Sequence, residues 1–259
     1  MPRRTATIAL VVTASLGLAA CGEEEEPTPL VVDDHPTLVV QASRSLAVPV
    51  AACTKEYAPA EVRVEVGEAG EIEGRVRARR GDLVVADDTA LPDRLHDDGV
   101  VDEPEQFARD TLVLAVPARG AKVRDFADVM AGESQGVLGI GDPAVAFGAA
   151  FADGLARLTD QQREAVLARV RTSETDAATL VDLVRDGSLD AAIVRQTDVE
   201  ATDGDLRALP LPDSMEPGLT YAAAVVRSSR NAASAAALID DLQSGICAAD
   251  LKAQGFLVP

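Results

Sequence analysis

The sequence contains no tryptophan, and only two tyrosines and five phenylalanines among 259 residues. Sites for sugars and for single-stranded nucleic acid rest on aromatic stacking platforms, so this composition disfavours both. Histidine is equally scarce, at two residues. That leaves little for a His-rich metal centre or a Ser–His–Asp triad. Lys and Arg number 24 against 43 Asp and Glu, a formal charge of −19 at pH 7. A chain this acidic is a poor partner for nucleic acid or for an anionic lipid surface. No apolar stretch reaches the ~20 residues that a bilayer span requires. No nucleophile–base pair and no metal-ligand spacing stands out, which argues against an enzyme. Asp203-Gly204-Asp205 lacks the remainder of a calcium loop.

What is present begins with a processing signal. Arg3 and Arg4 form a basic region, Ile8–Leu18 an apolar one, and Leu18-Ala19-Ala20-Cys21 a cleavage site. The pattern resembles a bacterial lipoprotein signal, which implies removal of residues 1–20 and lipidation of Cys21. The alternative is an ordinary secretory signal with an incidental cysteine. Residues 21–36 follow, with Glu23–Glu26 and three prolines. They are too acidic and too poor in apolar residues to fold, and read as a solvated tether. The expected location is therefore the outer face of the cytoplasmic membrane, with the lipid as the sole membrane contact. Cys53 and Cys247 make an even pair in an exported chain. A disulfide is the natural reading there, with two buried thiols as the alternative.

Beyond the tether, short apolar runs alternate with amphipathic stretches. Strands are expected at Thr37–Gln41, Glu61–Val66, Asp82–Ala86, Asp110–Pro117, Gly136–Ile140, Val170–Ser173, Ala191–Val194 and Tyr221–Val226, with an edge strand at Leu206–Leu211. Helices are expected at Leu46–Glu56, Glu71–Arg80, Lys122–Met130, Asp160–Arg169, Thr175–Arg185, Ala232–Gln243 and Ile246–Gln254. Asp87–Asp98 reads as a loop or short helix, and Arg195–Asp198 as a polar segment after its strand. This alternation predicts an α/β fold with parallel or mixed sheets covered by helices. Gly136–Leu158 is its most informative stretch. A strand ends in Gly-Asp-Pro, Asp142 suits an N-cap and Pro143 a first helical position, and Phe147, Phe151, Leu155 and Leu158 share one face. A helix start of this kind offers unpaired N–H groups to a small anion, although most such units bind nothing.

The motifs gain meaning from their order: Arg44-Ser45-Leu46 after a strand, GDLVVADD, DTLVLAVP, Gly-Asp-Pro, DGSLDAAIVRQTD, LTYAAAVV and a terminal Gly-Phe. This series resembles molybdate-binding proteins of ABC importers over Thr37–Val258. The resemblance implies the two-lobed type II periplasmic-binding-protein fold, with a mixed, helix-flanked sheet in each lobe. It places 37–116 plus 199–259 in lobe one and 117–198 in lobe two, with crossings near Pro117 and Asp198. Cys53 and Cys247 then share a lobe, which favours their pairing. It further implies a monomer that needs no cofactor, takes molybdate or tungstate into the cleft between the lobes, and delivers it to permease and ATPase subunits.

That family binds its dianion with hydroxyls and backbone N–H groups. By resemblance Ser45 supplies a hydroxyl, while Gly148 and Ala177 supply N–H groups at helix starts. Two positions depart from the pattern. Ala69, in Gly67-Glu68-Ala69-Gly70-Glu71, falls where a second serine belongs, and Arg195 falls where a tyrosine belongs. Arg44 replaces an alanine beside Ser45. Two unit charges 4 Å apart interact by about 4 kcal/mol at an effective dielectric of about 20, so a carboxylate repels a dianion by roughly 8. Micromolar affinity is itself only about 8 kcal/mol, so Glu68 and Glu71 must point away or be neutralised. Arg44 and Arg195 have two readings. They clamp a different oxyanion such as phosphate, sulfate or a carboxylate, or they pair with the glutamates and leave a scaffold without a ligand.

Overall fold

The computed structural model describes residues 35–216 and 218–259; Cys21, the processing signal and nearly all of the tether lie outside them. In chain order, β1 (Thr37–Ser43) leads through a 3-10 turn at Arg44–Leu46 into α1 (Ala47–Thr54), then β2 (Glu61–Gly67), α2 (Ala69–Arg77), β3 (Leu83–Ala86) and α3 (Ala90–Asp97). The long β4 (Glu105–Pro117) is followed by α4 (Phe126–Met130), β5 (Leu138–Gly141), α5 (Ala146–Ala156), α6 (Asp160–Leu167), β6 (Val170–Glu174), α7 (Ala177–Arg185), β7 (Ala191–Arg195) and α8 (Gln196–Glu200). The chain closes with β8 (Leu206–Pro210), β9 (Gly218–Val225), α9 (Ala232–Ser244) and α10 (Ile246–Ala253). Among the described residues no helix is long and apolar enough to cross a membrane.

The strands form a mixed sheet in the order β2-β1-β3-β9-β4-β7-β5-β6, with β8 also on β4. Strands β1, β2 and β3 are parallel to one another, as are β5, β6 and β7. Strand β4 joins these two groups. Its residues Glu105–Thr111 pair antiparallel with β9, and Leu112–Ala115 pair with β7. Leu206–Pro210, which the expected boundaries assign to the first lobe, pair with the same end of β4 that β7 does.

Helices cover both faces. In β3 the alternate residues Leu83 and Val85 enter the large core, while Val84 and Ala86 meet Ile72 and Val76 of α2 and Leu91 and Leu95 of α3. That division follows from the two-residue side-chain period of a strand.

Two local expectations need correction. Strand β4 begins five residues before Asp110, because the polar, exposed Glu105-Gln106 pair hides a segment whose Phe107 and Ala108 are buried. Asp142 does not cap α5. Its backbone N–H donates to the Glu174 carbonyl (2.8 Å), and its carboxylate and carbonyl take the N–H groups of Ala144 (2.8 Å) and Val145 (3.0 Å). Asp142-Pro143 is thus a turn, and the helix starts at Ala146. The polar segment Arg195–Asp198 begins a helix, since Asp198 accepts the Arg195 N–H (3.0 Å) and so caps the start of α8.

Two features tie the fold together. Cys53 in α1 and Cys247 in α10 are joined by a disulfide, with Cα atoms 4.7 Å apart and a sequence separation of 194. Asp110, on β4 where β9 gives way to β7, is 2% exposed. Its carboxylate accepts from the Thr111 N–H (2.7 Å), the Thr197 hydroxyl (2.6 Å) and the Tyr221 hydroxyl (3.3 Å), which links β4, α8 and β9. Burial raises its pKa above the ordinary carboxylate value against the pull of those donors.

Closing a loop of this span removes about 5 kcal/mol of unfolded-chain entropy in the loop-closure model. Replacing both cysteines with serine should therefore lower the unfolding free energy by about 2–5 kcal/mol, read as a fall in urea midpoint. An unchanged midpoint would remove the disulfide from the account of stability.

The raised pKa of Asp110 fixes the sign of a pH effect. The folded chain holds this proton more tightly than the unfolded chain, whose aspartates titrate near about 3.9. The contribution of Asp110 to stability therefore grows as pH falls from above its folded pKa towards about 4, and is constant below that. Urea unfolding of wild type and Asp110→Asn across this range should show the difference shifting in favour of wild type as pH drops. A pH-independent difference would sink the argument.

Candidate functional site

The expected site residues sit at the ends of strands and the starts of helices, where open α/β sheets place their ligands. Ser45 lies in the 3-10 turn after β1 and donates its hydroxyl to Asp87 Oδ2 (2.6 Å), one residue past β3. Arg44 beside it is exposed and bonds Glu68 through Nε (2.7 Å). That contact, with further attraction from Glu68, Glu71 and Asp176, raises its pKa. Ala69 is the first residue of α2 and brings no hydroxyl. Glu71 folds back onto the same helix start, where its Oε2 accepts the Glu68 N–H at 3.1 Å. Glu68 is thus matched by Arg44, and Glu71 by a helix N-terminus, whose positive end favours an anion.

Gly148 and Ala177 occupy the first turns of α5 and α7. Gly148 is required there, because a Cβ would fall 2.0 Å from the Asp142 carbonyl oxygen. The Gly-Asp-Pro turn thereby folds tightly against the helix start. Ala177 follows Asp176, whose Oδ1 accepts the Ala178 N–H at 3.0 Å.

Arg195, at the end of β7, is the central charged group, although only 8% exposed. Its Nε lies 3.1 Å from Asp198 Oδ2, and Nη2 donates to Asp198 Oδ1 (3.4 Å). Its guanidinium carbon stands 5.0 Å from the centre of the Phe147 ring, a cation–π contact that joins it to the start of α5. Burial works against its charge, but Asp198, Tyr221 and Asp87 outweigh that and raise its pKa. It stays protonated.

Ser45 and Arg195 line one chamber of about 460 Å³, together with Thr197, Asp198 and Tyr221. Arg44, Ala69, Gly148 and Ala177 do not line it. Asp87, Asp198 and Tyr221 have no place in the expected site. Asp198, three residues after Arg195, carried the only usable signal, that of an acid in a first helical turn. The scarcity of tyrosine drew no attention to Tyr221, and Asp87 is one of several neighbouring aspartates.

A family model for bacterial extracellular solute-binding proteins matches residues 38–257. The chain belongs to that family. No curated protein sequence matches it. Among solved structures it is similar to a substrate-binding domain assigned to a molybdenum ABC transporter of Clostridium difficile. The TM-score is 0.74 at 17% identity, over 86% of this chain and 99% of that one. The periplasmic molybdate-binding protein of Azotobacter vinelandii follows at 0.69 and 16%, with 86% and 99% covered. Iron-bound HitA of Pseudomonas aeruginosa gives 0.66 and 16%, with 84% of each chain covered. At these identities the likeness shows the fold alone, the α/β architecture of periplasmic binding proteins. This family member is an exported solute-binding protein and not an enzyme.

Gly148→Ala should be costly, since the obstruction is backbone and cannot rotate away. Overpacking of this kind costs about 1–3 kcal/mol, measured by urea unfolding. A neutral substitution would show that the Gly-Asp-Pro turn yields freely.

Proposed function

We propose that this chain captures a small anionic solute at Arg195 and delivers it to the permease and ATPase of an ABC importer. Two lobes divided within β4 and after β8 would close around the solute, a hinge motion with no chemistry. The observation that carries the reading is Arg195 itself. A buried, protonated guanidinium is held in fixed orientation by Asp198 and Phe147 beside an open chamber. A planar fork of donors suits a carboxylate, sulfate or phosphate group.

Molybdate or tungstate is the narrower reading that the motif order and two of the similar structures suggest. The helix starts at Gly148 and Ala177 support it. Against it, Ala69 offers no hydroxyl, Ser45 gives its own to Asp87, and Arg195 stands in for a tyrosine. A cage of neutral donors is therefore incomplete, and an anion clamped by Arg195 is the better fit. A second reading is a scaffold without a ligand, favoured because Arg44, Ser45 and Arg195 each already hold a carboxylate. In either case Cys21 would anchor the chain, as a monomer, outside the membrane through its lipid.

The test is thermal melting of the fragment 35–259 with molybdate, tungstate, sulfate, phosphate and simple carboxylates. A ligand at 100 times its dissociation constant adds about 2.7 kcal/mol, a shift of a few degrees for a domain of this size. Arg195→Ala should at least halve the shift, since tenfold weaker binding leaves only about 1.4 kcal/mol at the same concentration. Stabilisation by molybdate and tungstate that survives Arg195→Ala would overturn the Arg195 clamp, and no shift with any anion would favour the scaffold.

A further inference from the structure

The chamber at Arg195 is far larger than a simple oxyanion needs. Four oxygens around a central atom fill the space of a few waters, at about 30 Å³ each. The chamber holds about 460 Å³, inside the roughly 300–1,000 Å³ range of pockets that enclose organic ligands. Its far wall is apolar, built from Leu46, Val48 and Pro49 on the α1 side and Ala253 and Phe256 at the chain's end. An inorganic anion gains nothing from such a wall.

The charges of the chamber also provide for more than the anionic group that Arg195 would clamp. One guanidinium, Arg195, faces two carboxylates, Asp198 and Glu200. Asp198 Oδ1 and Oδ2 both turn towards Arg195, whereas Arg195 Nη1 donates to no described residue. Glu200 takes the Gln196 amide on Oε1 (3.0 Å), and its Oε2 lies over Gly255, where a Cβ would meet it at 1.8 Å. The chamber thus presents one free donor edge, two carboxylates beside it, and an apolar wall opposite.

Building on the reading of Arg195 as the anion clamp, we propose that the solute is a small zwitterionic organic acid of the α-amino-acid class. Its carboxylate would meet Nη1 of Arg195, its ammonium group would face Asp198 and Glu200, and its uncharged side chain would lie against Leu46, Pro49 and Phe256. The hydroxyls of Thr197 and Tyr221 are held by Asp110 and keep their orientation as the ligand enters.

Calorimetric titration of the 35–259 fragment with L-valine, L-leucine and L-methionine tests this, alongside 4-methylpentanoate (leucine without its amine), leucinamide (without its carboxylate), sulfate, phosphate and molybdate. At least one amino acid should bind, and 4-methylpentanoate and leucinamide should bind at least tenfold more weakly than leucine. Ala253→Phe, which fills the chamber away from Arg195, should weaken amino-acid binding at least tenfold without changing the melting temperature of the free protein. Equal binding of 4-methylpentanoate and leucine would overturn the zwitterion. Binding of sulfate, phosphate or molybdate alone, unaffected by Ala253→Phe, would overturn this inference and leave the Arg195 clamp standing. Binding of nothing in the series would overturn both.

Discussion

The buried carboxylate of Asp110 is the constraint on which the rest of the site depends. A carboxylate taken out of water must find donors, and this one finds them on three elements that the chain supplies far apart in sequence. Thr111 comes from β4 itself, Thr197 from α8 and Tyr221 from β9. Satisfying one acceptor therefore fixes the start of α8 against two strands. Arg195 immediately precedes that helix, so its orientation follows from the same contact. Asp198, which caps α8 and bonds the guanidinium, completes the arrangement. The position of the buried guanidinium is thus decided by a group that is itself nearly hidden from solvent.

Around Arg195 the electrostatics follow one rule: each polar donor on the expected list has its own acid. Arg44 has Glu68, Ser45 has Asp87, and Arg195 has Asp198. Exposed pairs such as Arg44–Glu68 contribute little to stability. The buried pair is different, because removing either partner strands an uncompensated charge. An acidic chain can hold a cation inside itself only by matching it. The carboxylates that stabilise Arg195 would then limit which solutes the proposed clamp could accept.

Much of the architecture was legible in the sequence because periodicity and punctuation carry it. The runs TLVVQ, EVRVEV, LVVA and AAIV are strands, as their composition dictates, and the Gly-terminated amphipathic stretches are helices. What failed were places where a tertiary partner overrode local preference. Asp142-Pro143 has the chemistry of a helix start, but the Glu174 carbonyl and the close approach of Gly148 turn it into a separate loop. Glu105-Gln106 look like surface residues because their side chains are, while their backbones belong to β4. Individual site residues such as Ser45 and Arg195 could be nominated from motif order. Their partners could not, since Asp87 and Tyr221 reach them only through the folded sheet.

The disulfide has a consequence for motion as well as for stability. Helix α1 and the end of α10 form the apolar side of the chamber, and Cys53–Cys247 rivets them to each other. Two walls joined by a covalent bond cannot part to admit a solute. Any widening of the chamber must come from the α8 side, which is held by hydrogen bonds, the Arg195–Asp198 pair and packing of Val199, with no covalent tie. The molecule thus has a fixed jaw and a movable one, and the oxidising compartment in which the chain resides determines which is which.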